Sequence, residues 1–177
     1  EHLFNDGENS DDSSKWEFLK WQYSLNHLGK EIHMCMEGYC SAYIYWYLKR
    51  FYGFMGDTDK RSPTSEGEIT KNGYIMAHYA QYATETTRIK AVTNNEEVCA
   101  TAYWDEKTGE VTIVLLNLNG ASQWLEIPLA GIKKASAVET NETKNMEVID
   151  TGLMESAEGI TVLLSANSIT SVRLTFK

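Results

Sequence analysis

The apolar positions along the chain follow two rhythms, and the change between them falls near its middle. From Phe18 onward, Trp21, Leu25, Leu28, Ile32, Cys35 and Met36 recur at steps of three and four, which puts them on one face of a helix. Ser14-Lys15-Trp16-Glu17 fits a capping box at its start, with Ser14 as cap and Glu17 reaching back; Gly38 suits the C′ position at its end. Gly29 costs about 1 kcal/mol relative to alanine without breaking this pattern. Residues 5–14 are almost wholly polar or acidic and predict a solvated loop. Ala42-Tyr43-Ile44-Tyr45-Trp46-Tyr47-Leu48 is short and continuously apolar, which predicts a strand buried on both faces, as in a parallel sheet. Gly53, Gly56, Pro63 and Gly67 then punctuate an irregular stretch, and Ile75, Tyr79 and Tyr82 share one side of a second helix over 71–83. Helix, buried strand, loop and helix together read as α/β.

Beyond Thr86–Arg88 the runs shorten. Val98–Trp104, Val111–Leu118, Gln123–Pro128, Lys134–Glu139, Ile160–Leu164 and Ile169–Phe176 are strand-like and rich in Val, Ile, Leu and Thr. Turn signals separate them at Asp105–Gly109, Asn119-Gly120 and Glu158-Gly159, which predicts an antiparallel β-sandwich; Pro128 ends or edges its strand. Aromatic residues divide the same way, 16 of the 20 lying before residue 88. Two units are expected, 1–87 and 88–177, and the lack of a fixed-period repeat excludes a solenoid or propeller.

The length of 177 residues suits one domain, or one and part of another. A hydrophobic content of 42% excludes wholesale disorder. With 16 Lys+Arg against 25 Asp+Glu, the formal charge of −9 argues against nucleic acid or an anionic membrane as partner. There is no apolar run near the ~20 residues that span a bilayer, and Glu1-His2-Leu3-Phe4 does not read as a signal peptide. Cys35, Cys40 and Cys99 cannot all pair internally and match no zinc spacing, so mostly buried thiols are expected.

Chemistry has few candidates. No nucleophile elbow, phosphate loop, His-Glu-x-x-His or dinucleotide fingerprint occurs. His2, His27, His33 and His78 have no metal-ligand spacing, and His27 and His33 read as surface or half-buried residues. Asp6, Glu8, Asp11 and Asp12 lack the glycine of an EF-hand loop, whose place is held by Asp11. No metal or cofactor is expected. The crowding of Tyr43, Tyr45, Trp46, Tyr47, Phe51 and Tyr52 around Lys49 and Arg50 says more. Aromatic faces stack on the C–H face of a sugar, a guanidinium binds a carboxylate in a fork, and α/β barrels carry such groups at strand ends. Each of these aromatics suits a core position equally well, because alternate residues of a strand face opposite ways.

Taken in order, several motifs resemble glycoside hydrolase family 30, in particular its bacterial endo-xylanase and glucuronoxylanase branch. Glu1-His2 is similar to the end of the family's nucleophile motif. Met36-Glu37-Gly38 with the run from Ala42 to Gly53 resembles helix seven and strand eight. The stretch from Gly67 to Tyr79 resembles helix eight, and Arg88-Ile89-Lys90-Ala91 the lead-in to the side domain. The likeness is strong over 31–95 and mainly architectural beyond. It implies the last two units of a (β/α)8 barrel over 1–87 and a β-sandwich side domain over 88–177.

The same resemblance implies a retaining mechanism, with Glu1 as nucleophile and an acid/base upstream, their carboxyl groups roughly 5–5.5 Å apart. Trp46, Arg50 and Tyr52 match the residues that hold a methylglucuronate branch, and Tyr45 joins them as a substrate-binding residue. The Tyr and Ser that follow the family's nucleophile by two and five places are here Leu3 and Asp6, which implies a weaker hold on the uronate. Xylan and the N-terminal part of the same barrel are the implied partners, the location extracellular or periplasmic, and this piece alone inactive. Another β-linked glycan is an alternative substrate. A non-catalytic carbohydrate-binding module is a third reading, whose mark would be an exposed row among Tyr103, Trp104 and Trp124.

Overall fold

A computed structural model describes residues 11–150, 153–156 and 158–177. The chain divides into two compact units, Glu1–Ala77 and His78–Lys177.

In the first unit, the long helix expected from residue 14 starts later and is built in pieces. Two 3₁₀ turns, Ser13–Lys15 and Glu17–Leu19, precede α1 (Trp21–Ser24), a π turn (Leu25–Gly29) and α2 (Lys30–Glu37). Asp12, not Ser14, is the cap: its carboxylate accepts from the Ser14 N–H at 3.1 Å and from the Ser14 hydroxyl at 2.7 Å. Glu17 pairs with Lys20 instead of reaching back. The cause is tertiary. Trp16 is buried with Phe51 and Tyr52, and the backbone leaves helical dihedrals at Trp16 (ψ 75°) and again at Lys20 (ψ 134°). The apolar stripe itself is as read, with Trp21, Leu25, Leu28 and Ile32 buried. His33 is buried too, against expectation, whereas His27 is exposed and stacks on Tyr23 at 4.0 Å. At the helix end the left-handed residue is Tyr39 (φ 57°), while Gly38 keeps φ −75°. The thiols are less buried than expected: Cys40 is exposed, Cys35 and Cys99 half-buried.

The buried parallel strand expected over 42–48 is not formed. The segment is irregular, and only Tyr43 and Tyr45 are half-buried while their neighbours are exposed. A strand exists only where a second strand takes up its N–H and C=O groups; among the described residues none lies beside this one. Two isolated bridges, Lys49 to Met55 and Met55 to Ile69, are the nearest thing to sheet. α3 (Lys71–Ala80) is capped by Thr70, whose hydroxyl oxygen accepts from the Gly73 N–H at 3.2 Å, and it stops three residues before the expected Ala83. The division between the units falls inside this helix.

After the end of α3, the second unit is built of antiparallel strands. Its strands are β1 (Thr87–Ile89), β2 (Val98–Trp104), β3 (Val111–Asn117), β4 (Gln123–Ile127), β5 (Ile132–Thr140), β6 (Glu147–Val148), β7 (Leu153–Glu155), β8 (Ile160–Leu164) and β9 (Ser168–Phe176). They form a six-stranded sheet, β1-β2-β3-β9-β5-β6, and a three-stranded one, β4-β8-β7. Period-two alternation decides the faces. Ala102, Ile113, Val172 and Ala137 stand in register as one inward row, and share a core with Ile160, Val162 and Leu164 of β8. One carboxylate lies on this inward side. Glu139 is fully buried, accepts from the Ser165 N–H at 3.0 Å and the Ser165 hydroxyl at 2.7 Å, and pairs with Lys144 at 2.9 Å. Those bonds replace the water it has lost.

His78 is the buried imidazole of this unit. Its Nδ1 lies 2.8 Å from the Ser171 hydroxyl and its Nε2 2.9 Å from the Thr140 hydroxyl, and burial holds its pKa down at about 3. It is neutral, and it ties the chain to β5 and β9.

Candidate functional site

The aromatic segment is shaped by backbone close to its own chain. At Gly53 an added Cβ would come within 2.9 Å of the Leu48 carbonyl oxygen and 2.8 Å of that of Tyr47, so only glycine lets the chain fold back after Tyr52. The Thr70 hydroxyl donates to the Gly53 carbonyl at 2.6 Å, and the Asn72 amide donates to the Tyr52 carbonyl at 3.0 Å. Tyr45 donates to the same Tyr52 carbonyl at 2.8 Å while its ring stacks on Phe54 at 4.6 Å. Tyr43 donates to Glu31 at 2.9 Å. Burial pushes the pKa of both tyrosines well above the ordinary phenol range, so neither gives up a proton near neutrality.

On this base stand the four predicted contact residues. Trp46 is 45% exposed and packs at 4.6 Å on Tyr47, to which it is joined by a cis peptide bond. The Arg50 guanidinium lies 5.9 Å from the Tyr47 ring, 5.8 Å from that of Tyr52 and 5.5 Å from that of Phe51. It has ring contacts and no hydrogen bond to any described residue. Tyr52 is buried, with its backbone oxygen pinned as above, and Tyr45 is half-buried beneath it. The structure therefore brings Trp46, Tyr45, Arg50 and Tyr52 into one chain of contacts. Glu1 lies outside the described residues, as do Leu3 and Asp6.

Such an arrangement suits an anionic sugar. Cation–π contacts hold the guanidinium without using its N–H groups, which stay available to a carboxylate, and the exposed indole offers a stacking face. Among the described residues no group of three or more His, Cys, Asp or Glu is placed to hold a metal, and no helix is long and apolar enough to cross a membrane. Sequence reasoning missed Asn72, which fixes Tyr52 from α3, and the ion pair of Asp59 and Arg61 that packs on Phe51. The first has no local signal; the second has one, opposite charges two residues apart beside a turn.

The chain is similar to glucuronoxylanase XynC of Bacillus subtilis strain 168, at 30% identity over 157 residues, 86% of this chain and 34% of that protein. The chain resembles the C-terminal portion of a family 30 xylanase. Solved structures agree in fold. A glycoside hydrolase family 30 subfamily 8 xylanase, Xyn30A from Clostridium acetobutylicum, superposes with a TM-score of 0.74 at 22% identity, covering 88% of this chain and 39% of that one. A family 30 endoxylanase from Clostridium papyrosolvens C71 gives 0.72 at 21% identity, covering 99% and 40%. No protein-family profile matches the sequence. The chain spans about a third of the length of the curated relatives it matches.

Proposed function

We propose that the protein to which this chain belongs is a retaining glycoside hydrolase, an endo-β-1,4-xylanase acting on xylan or glucuronoxylan outside the cell or in the periplasm. In this reading residues 1–87 complete a (β/α)8 barrel whose earlier units precede them, and 88–177 are its β-sandwich side domain. The Glu1 carboxylate attacks the anomeric carbon, and an upstream carboxylic acid protonates the leaving oxygen and then activates water. The work of the described residues is binding. Trp46 stacks on a sugar face, Arg50 receives the carboxylate of a methylglucuronate branch, the Tyr52 hydroxyl stands beside it, and Tyr45 keeps Tyr52 in place.

The observation that carries this reading is Arg50: three aromatic rings frame its guanidinium and no described residue hydrogen-bonds to it. Its test is the product pattern of the full-length protein on glucuronoxylan. Cleavage set by the branches should be lost in Arg50→Lys, which keeps the charge but not the fork. Branch-indifferent cleavage by the unaltered protein would reject the role. A second reading, carbohydrate binding by the sheets, has the exposed Trp104 and Trp124 in its favour. Those two stand on different sheets and make no single row, with Tyr103 buried, which keeps it second.

A further inference from the structure

Two guanidinium groups lie against one ring. Arg61 is 3.7 Å from the Phe51 centroid and Arg50 is 5.5 Å from it. Among the described residues, only Arg61 of the two holds a carboxylate. It binds Asp59 in a fork, Nε to Oδ1 at 2.9 Å and Nη2 to Oδ2 at 2.7 Å, and its backbone N–H adds a bond to Oδ1 at 2.9 Å. The turn that presents Asp59 is closed on itself: Asp57 accepts from the Asp59 N–H at 3.0 Å, and the Ser62 hydroxyl accepts from the Asp57 N–H at 3.1 Å. The bonds from Arg61 hold the Asp59 carboxyl well below the usual carboxylate range, and the charge of Arg50 adds a smaller push in the same direction. Asp59 is therefore ionised and within electrostatic reach of Arg50, yet both of its oxygens are taken by the other arginine.

We propose that Arg61 is a positioning residue that keeps Asp59 from closing on Arg50, so that the Arg50 fork stays open for the carboxylate of the substrate. This rests on the reading of Arg50 given above. A carboxylate that matches one guanidinium in the plane of both oxygens matches another equally well. With Arg61 removed, the remaining guanidinium on the Phe51 ring is Arg50. A tethered Asp59 would then compete with the uronate at the high effective concentration of an intramolecular group. Because the pair is partly exposed, the competition is modest, worth about threefold to fivefold in binding.

The test is a set of variants of the full-length protein, assayed on a xylo-oligosaccharide with one methylglucuronate branch and on its unbranched counterpart. Arg61→Ala should raise KM for the branched substrate about threefold to fivefold and leave the unbranched one unchanged. Arg61→Ala combined with Asp59→Asn should restore the branched KM, since the competitor has lost its charge; Asp59→Asn alone should leave it unchanged. Loss in Arg61→Ala without rescue would show that Arg61 acts by packing on Phe51 and would overturn the proposal, as would no loss at all. If Arg61→Ala unfolds the protein, Arg61→Lys is read instead: a smaller loss, again removed by Asp59→Asn, supports the proposal, and no loss overturns it. Arg50→Lys separates the two levels, because a branched KM indifferent to Arg50 removes the site itself, whatever Arg61 does.

Discussion

The two units treat their strand-like sequences in opposite ways. In His78–Lys177 each strand finds its hydrogen-bonding neighbour inside the unit, and the inward row from Ala102 to Ala137 closes on β8. In Glu1–Ala77 the continuously apolar run from Ala42 to Leu48 finds none among the described residues, and leaves Ile44 79% and Leu48 64% exposed. The side chains are no less hydrophobic there. What differs is where the pairing partners lie, because a strand is a non-local object whose backbone groups must be satisfied by another segment. One unit carries its complement; the other presents an apolar segment of the kind that ordinarily marks an interface.

The sharpest contrast should appear when the units are separated. Residues 78–177 expressed alone should melt cooperatively, since their core is closed by their own two sheets. Residues 1–85 should aggregate or show no cooperative transition by circular dichroism. A cooperative melt of the first piece would show that the run from Ala42 to Leu48 needs no partners from elsewhere.

Next in size are substitutions in the shared core. Leu115 is 1% exposed and faces β8 residues, so Leu115→Ala should lower stability to urea by about 2–5 kcal/mol. Glu139 offers a polar counterpart. Removing its carboxylate breaks the bonds it accepts from the Ser165 N–H, the Ser165 hydroxyl and Lys144, and Glu139→Ala should cost about 1–3 kcal/mol. A loss below about 1 kcal/mol for either would mean that the sheets are not packed as described.

His78 adds a pH dependence of definite sign. Folded, its ring stays neutral down to about pH 3, whereas an unfolded histidine takes up a proton below its ordinary 6.5. The unfolded chain therefore binds more protons between those values, so this contribution is complete above pH 6.5 and shrinks as the pH falls toward 3. The loss over that window is at most about 5 kcal/mol. Urea midpoints of His78→Gln should fall less steeply with acid than those of the unaltered chain. Parallel slopes would show that the imidazole is not held neutral.

These contrasts also explain what could be read from sequence. All six strands expected in the second half are present, two with the expected bounds and four with ends shifted by one or two residues, because alternation and turn residues act locally. The short β1, β6 and β7 escaped, since two or three residues carry no period. The helical stripe from Trp21 to Ile32 was readable for the same reason, but its start was not. Ser14 and Glu17 spell a capping box that the burial of Trp16 overrides. At the candidate site, residue types were readable and roles were not. Nothing near Tyr52 in sequence says that Asn72 fixes its carbonyl, or that Arg61 shares a ring with Arg50.

The smallest expected effect bears on the same contrast. In this chain Leu48 touches mostly solvent, so Leu48→Gln should change its stability by no more than about 0.5 kcal/mol. In the full-length protein the proposal places neighbouring barrel strands beside it. There the same substitution would forfeit the burial of a leucine, about 1.5–3 kcal/mol. Measuring Leu48→Gln in both settings separates intrinsic preference from missing complement. Equal, small effects would mean that the run from Ala42 to Leu48 is exposed in the complete protein too, and that its hydrophobic side chains face a ligand and not a barrel wall. A large effect only in the full-length protein would show that the first unit is built to be covered.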